Sequence, residues 1–153
     1  MKENKKMNRF LPLTLTLAAL AASTGAFARD DQRMHPLEEA LTSEAAKDKL
    51  DPSIKLYFGN QKHPDVIKEF GEWKTNKKTN GFNKSDKEAC EWVFLSAVLE
   101  LQERAQKEGA NAVINIKSNY KNNERSSETE YMCGSGALMS GVALKGTVVK
   151  LAE

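Results

Sequence analysis

Ser85-Asp86-Lys87-Glu88 opens, and Gly109 closes, the one stretch of this chain whose local structure is specified from both ends. In such a box the serine oxygen accepts from the glutamate backbone N–H, and the glutamate carboxylate returns to the serine N–H. A glycine beyond the last turn supplies the left-handed residue that ends a helix. The 23 residues between them predict a helix about 34 Å long. Its middle carries Trp92, Val93, Leu95, Ala97, Val98, Leu99 and Leu101, which leaves little polar surface. The helix must therefore be covered on more than one side. Trp92 is expected in that core, where truncation to alanine would cost ~3–5 kcal/mol.

The flanking segments supply the cover. Ile54 to Phe58 alternates and stops at Gly59, which predicts a strand. Val66 to Trp73 reads as a second strand interrupted by Gly71, and Ala112 to Ile116 as a third. Glu130 to Cys133 and Leu138 to Leu151 read as two more, separated by Gly134-Ser135-Gly136, with Val142, Leu144, Val149 and Leu151 on the buried face. Leu37 to Leu50 predicts a short amphipathic helix stopped by Asp51-Pro52. Residues 29–36 are polar and end in proline, so a flexible arm is expected there. Lys74 to Lys84 carries turn signals at Thr75-Asn76 and Asn80-Gly81, and Ser118 to Thr129, without apolar period, reads as a mobile loop. The expected fold is α+β: a single domain over residues 37–153, one long capped helix on a small, mostly antiparallel sheet.

The N-terminus predicts the compartment. Lys2, Lys5, Lys6 and Arg9 precede the apolar run Leu11 to Ala22, and Ala26-Phe27-Ala28 follows with small residues where a signal peptidase reads. This order is expected to be a signal peptide over residues 1–28, cleaved before Arg29. The run falls short of the ~20 apolar residues of a membrane span, and no later stretch reaches that length. The expected product is periplasmic or secreted. The chain has 23 Lys+Arg and 21 Asp+Glu; without the segment's four bases and one acid, 19 and 20 remain, a charge of −1. The basic balance thus belongs to the targeting segment, and no nucleic-acid partner is expected.

Cys90 and Cys133 are the only cysteines. An isolated even pair in an exported chain is most simply a disulfide. Neither sits in a CxxC, which speaks against a redox or metal pair.

The residues around the helix end also carry a resemblance. Leu101 to Ile116, which includes Glu108-Gly109-Ala110-Asn111-Ala112-Val113, resembles the helix-to-strand signature of the YbjQ-like family, small bacterial proteins named as heavy-metal binders. Cys133-Gly134-Ser135-Gly136-Ala137-Leu138 resembles the C-terminal strand of RcsF, a disulfide-bonded envelope-stress sensor of that fold. Leu56-Tyr57-Phe58-Gly59, Lys78-Thr79-Asn80, Ala89-Cys90-Glu91-Trp92 and Gly141 to Gly146 resemble small exported proteobacterial proteins often labelled "excinuclease ATPase subunit". That label fails on chemistry. Nucleotide hydrolysis of that kind needs a GxxxxGK[ST] phosphate cradle, and Gly141-Val142-Ala143-Leu144-Lys145-Gly146 lacks both its spacing and its hydroxyl.

Other chemistry finds little support. Transition metals want three or four converging His, Cys or carboxylate ligands, and only His35 and His63 accompany the two cysteines. No metal site and no cofactor is therefore expected. There is no GxSxG, and Gly134-Ser135-Gly136 lies between strands rather than before a helix, so neither a nucleophile nor a phosphate loop is read there. The expected role is non-enzymatic: an exported module that binds a protein or an envelope component, with stress response as the role the RcsF resemblance implies. The candidate surface is Trp73, Lys74, Lys77, Lys78, Phe82 and Lys84, a basic stretch with aromatic edges suited to anionic lipid or polymer. The alternative implied by the YbjQ-like resemblance is an oligomer that binds a metal or a small ligand.

Overall fold

The computed structural model describes residues 28–153. The expected signal segment lies outside the described residues except for Ala28. Ten elements follow one another: β1 (Asp31–Pro36), α1 (Leu37–Thr42), α2 (Glu44–Lys49), β2 (Lys55–Phe58), β3 (Val66–Asn80), α3 (Asp86–Glu108), β4 (Ala112–Tyr120), β5 (Asn123–Arg125), β6 (Glu130–Ser135) and β7 (Met139–Leu151). The fold is α+β, with three helices and a seven-stranded mixed sheet among the described residues.

Helix α3 begins where Ser85 Oγ accepts from Glu88 N at 3.1 Å. It ends at Gly109, whose φ of 72° is left-handed and whose N–H reaches back to the Ala105 and Gln106 carbonyls. Ala89, Cys90, Val93, Phe94, Ala97, Val98, Leu101 and Ala105 are buried along it, a 3–4 spacing that makes one broad apolar stripe. Gln102 is buried among them. Its amide donates to the Asp51 and Ile54 carbonyls and its oxygen accepts from Asp51 N, so it fastens the turn before β2.

Strand β7 organises the sheet. Along one edge it pairs antiparallel with β3 over its whole length, from Met139↔Asn80 to Leu151↔Val66. Its other edge is shared: Ser140 and Gly141 pair with β6, and Leu144 to Val149 pair with β4. Strand β2 joins β4 in parallel, β5 closes on β4, and β1 closes on β6. Opposite Gly146, β4 carries two residues, Asn115 and Ile116, where one is expected, and Asn115 has φ 50°. This is a bulge. Val142, Leu144 and Val148 face α3 with Val113 and Ile116, while Val149 and Leu151 bury against Ala112 on the other face.

Four expectations need correction. Residues 31–36 are not a loose arm but β1, in register with β6 from Asp31↔Ser135 to Pro36↔Glu130. Its polar side chains hid it, because a ladder of backbone hydrogen bonds needs no apolar period. The Leu37–Leu50 helix is two helices, broken at Ser43, whose Oγ accepts from Ala46 N and caps the second. Strand β3 runs through the supposed turn at Thr75-Asn76 and ends at Asn80, where the turn read at Asn80-Gly81 does form, with Phe82 N donating to Asn80 Oδ1. Strand β4 runs on to Tyr120 with β5 behind it, where a mobile loop was expected. An edge strand with one wet face can be rich in lysine and asparagine, and such lysines discourage further pairing.

The fourth concerns Trp92, which lies on the outer side of α3 and is 49% exposed. Lys49 Nζ stands 4.0 Å from its ring centroid and Lys84 Nζ 5.9 Å. Trp92→Ala is therefore expected to cost only ~1 kcal/mol, the scale of an exposed cation–π contact. The midpoint of urea unfolding checks this; a loss above ~3 kcal/mol would restore the tryptophan to the core.

Candidate functional site

Two places in the fold hold unusual chemistry: a buried nest around the disulfide, and an exposed tip where the sheet meets the start of α3.

The nest forms because β6 leaves β7 after Ser135 and Gly134 and bends over the first half of α3. Strand alternation turns Tyr131 and Cys133 to the helix side. Cys90 and Cys133 are joined in a disulfide with Cα atoms 5.9 Å apart, and neither is accessible. Such a bond fits an oxidising compartment. One turn along α3, the Phe94 ring stacks on Tyr131 with centroids 4.0 Å apart. Tyr131 also stacks with His35, its cross-strand partner, with centroids 5.5 Å apart. Ser135 Oγ lies 3.3 Å from Cys90 Sγ. The Tyr131 hydroxyl is buried and has no hydrogen-bond partner among the described residues. Burial pushes its proton affinity far up, with Glu91 and Glu39 adding to the effect. Burial also lowers the His35 pKa, against the opposing pull of Glu91.

A His35 ring nitrogen and the two sulfurs all lie within 4.8 Å of one another. While the sulfurs are bonded to each other they offer no thiolate, so in this state the donor set reduces to one imidazole. That set does not satisfy a transition metal.

Above the nest, Tyr120 explains the glycine at position 134. A Cβ there would sit 2.1 Å from the Tyr120 hydroxyl. The ring lies across this bare backbone while its hydroxyl donates to Asp30 Oδ1 at 2.9 Å. The Asp30 carboxyl is held below the ordinary range by its hydrogen-bonded pair with Lys121, and the Tyr120 phenol is raised by burial and by Asp30. The Gly134-Ser135-Gly136 run is thus a packing feature.

The basic stretch read from sequence does not assemble into one surface. On a strand, alternate residues face opposite ways. Trp73 and Lys77 face α3, where Arg104 stacks 3.6 Å from the Trp73 centroid and Lys77 pairs with Glu100 at 2.7 Å. Lys74 and Lys78 fall on the other face: Lys74 lines a shallow pocket with Asn76, Asn119, Lys121 and Asn122, and Lys78 a second with Tyr120. Phe82 and Lys84 lie past the strand end.

What does gather is apolar. Gly81 N donates to the Leu138 carbonyl at 2.8 Å, which binds the β3–α3 connection to the β6–β7 turn. Phe82, Leu138 and Met139 stand out there at 64, 63 and 47% exposure. Lys84 follows Phe82 by two residues, and Lys78 borders the same hollow as Met139. Leu138 and Met139 were missed as site residues because they read as the start of a buried strand. Their signal was weak but present: two large apolar residues directly after a glycine-rich turn. His35 carried no signal, since only strand pairing brings it to the sulfurs.

Between α1 and β2 a groove of about 550 Å³ is lined by Leu37, Leu41, Leu56 and Phe58, with Gln61 bridging Phe58 N and the Glu128 carbonyl at its floor. Among the described residues no helix is long and apolar enough to cross a membrane. No family model matches the chain, and no curated protein or solved structure is significantly similar to it.

Proposed function

We propose that this chain is an exported, non-enzymatic module that binds an envelope component or an envelope protein, with the Phe82–Leu138–Met139 tip as its contact surface. The single observation that supports the reading is this trio of large apolar side chains, exposed on the β3–α3 connection and on the β6–β7 turn with the first residue of β7, two segments tied to each other. Lys84 lies two residues after Phe82, and Lys78 beside the hollow that Met139 lines. Clustered apolar exposure on a folded domain marks an interaction surface. Apolar tips with flanking lysines suit an anionic boundary, where each lysine adds ~1 kcal/mol near the surface. The tip takes over Phe82 and Lys84 from the stretch read in the sequence and leaves Trp73 and Lys77 to structural work against α3. Envelope stress sensing is the role that the RcsF-like resemblance suggests, by fold analogy alone.

The test uses the chain from Arg29 to Glu153. Co-sedimentation with phosphatidylglycerol vesicles at low salt, and capture from an envelope extract, should detect a ligand through at least one arm. The double variant Phe82→Ser/Leu138→Ser should weaken that binding at least tenfold while leaving the melting temperature within a few degrees. Binding that survives both substitutions unchanged, or no binding in either arm, overturns the proposal.

A further inference from the structure

The nest around the disulfide has a composition that a staple alone does not require. A structural cross-link needs two sulfurs in an apolar setting. Here the sulfurs also have an imidazole within 4.8 Å, a serine hydroxyl 3.3 Å from Cys90 Sγ, and a buried phenol without a partner on the same strand as Cys133.

The geometry points to a second state of this nest: with the disulfide reduced, Cys90, Cys133 and His35 form a three-ligand site for one zinc-like divalent ion. This goes beyond the surface reading and is independent of it. The distances favour it. Zinc holds thiolate at ~2.3 Å and imidazole at ~2.0–2.1 Å, so a ligand triangle with edges near 4 Å is what the ion spans. The His35 nitrogen is already inside 4.8 Å of both sulfurs, and on breaking the bond the sulfurs need only separate. Charge also favours a divalent ion. Two thiolates and one neutral imidazole neutralise it, and a neutral complex is the one that buried, inaccessible sulfurs tolerate. A monovalent ion would leave a net negative charge inside the fold.

The fold provides a route to this state. His35 is the only one of the three ligands that is not fully buried, and it sits on β1, which pairs with no strand but β6 among the described residues. Lifting one edge strand breaks one ladder and leaves the rest of the sheet paired. The chemistry balances in two steps. A dithiol reductant gives two electrons and two protons to the Cys90–Cys133 bond and itself closes to a disulfide. The ion then displaces the two thiol protons as it takes the sulfurs and the His35 nitrogen.

The experiment compares oxidised and reduced Arg29–Glu153, the latter prepared with a dithiol and desalted without oxygen. Zinc chloride alone is the metal probe, competed against a chromophoric chelator, with cobalt substitution reporting sulfur ligation by its charge-transfer absorption. One zinc per reduced chain and none per oxidised chain is the expected result. His35→Ala and His35→Gln should each lower the reduced chain's affinity at least tenfold, while circular dichroism of their oxidised forms stays native. Should reduction unfold the chain, zinc must restore the fold of the parent and fail to restore it in the His35 variants. No zinc uptake on reduction, equal uptake by the oxidised chain, or undiminished affinity in both His35 variants overturns the inference.

Discussion

Phe94→Ala is expected to lower the unfolding free energy by about 3–5 kcal/mol. Phe94 is fully buried at the junction of helix and sheet, stacked on Tyr131 and tilted 36° to Phe58 at 6.1 Å. Truncation removes its buried apolar area and leaves a cavity bounded by the disulfide, a side that cannot collapse freely. It also strips one face of Tyr131, whose hydroxyl already lacks a partner. Whole domains are stable by only ~5–15 kcal/mol, so the variant should sit close to its unfolding threshold at 37 °C. Urea titration followed by far-UV circular dichroism measures the loss. A value under 1 kcal/mol would mean that the β6 ribbon is not packed on α3 as described.

Replacing Cys90 and Cys133 together by alanine should cost on the order of 4 kcal/mol, the chain-entropy value for a closed loop of this length. The two cysteines are 43 positions apart, and the loop between them contains most of α3, all of β4 and β5 and the start of β6. Without the link, β6 is held to β7 by its last two residues only, and to α3 by side-chain packing. The loss should therefore show first as faster amide exchange in β1 and β6 and only then in the remaining sheet. Thiol titration of the unfolded, unreduced parent should find no free thiol. Equal stability of the double variant and the parent would remove the staple from the account. Cys90 and Phe94 lie four residues apart on one helix face, so the two effects are expected not to add.

The elements found correctly in the sequence share one property: their reason is local. Ser85, Glu88 and Gly109 act within one turn of a helix end, and alternation in Ile54–Phe58 reports a face that is buried whatever covers it. The single buried face read for Val142, Leu144, Val149 and Leu151 is in fact two, since β7 is covered on both sides and Val149 and Leu151 turn away from α3. The errors share the opposite property. β1 has no period because its hydrogen bonds go to a strand nearly a hundred residues later. The lysines of β3 read as a loop because the sequence does not show that β7 holds that whole length in extended form. Trp92 read as core because an apolar run around a helix does not say which side the sheet takes.

The site divides in the same way. The pairing of Cys90 with Cys133 was legible because a compartment and a count of two leave little choice. The basic stretch was legible as residues but not as a surface, since alternation along β3 splits it between two faces. Composition and spacing thus determined a capped central helix, an α+β class and one cross-link, because caps, periodicity and pairing by elimination operate over short distances or by count. Tertiary structure alone decided that His35 stands beside the sulfurs, that Tyr131 stacks with both His35 and Phe94, and that the backbone before Phe82 is tied to Leu138. Those neighbours are set by strand register and by where β6 leaves β7, quantities that depend on the whole sheet at once.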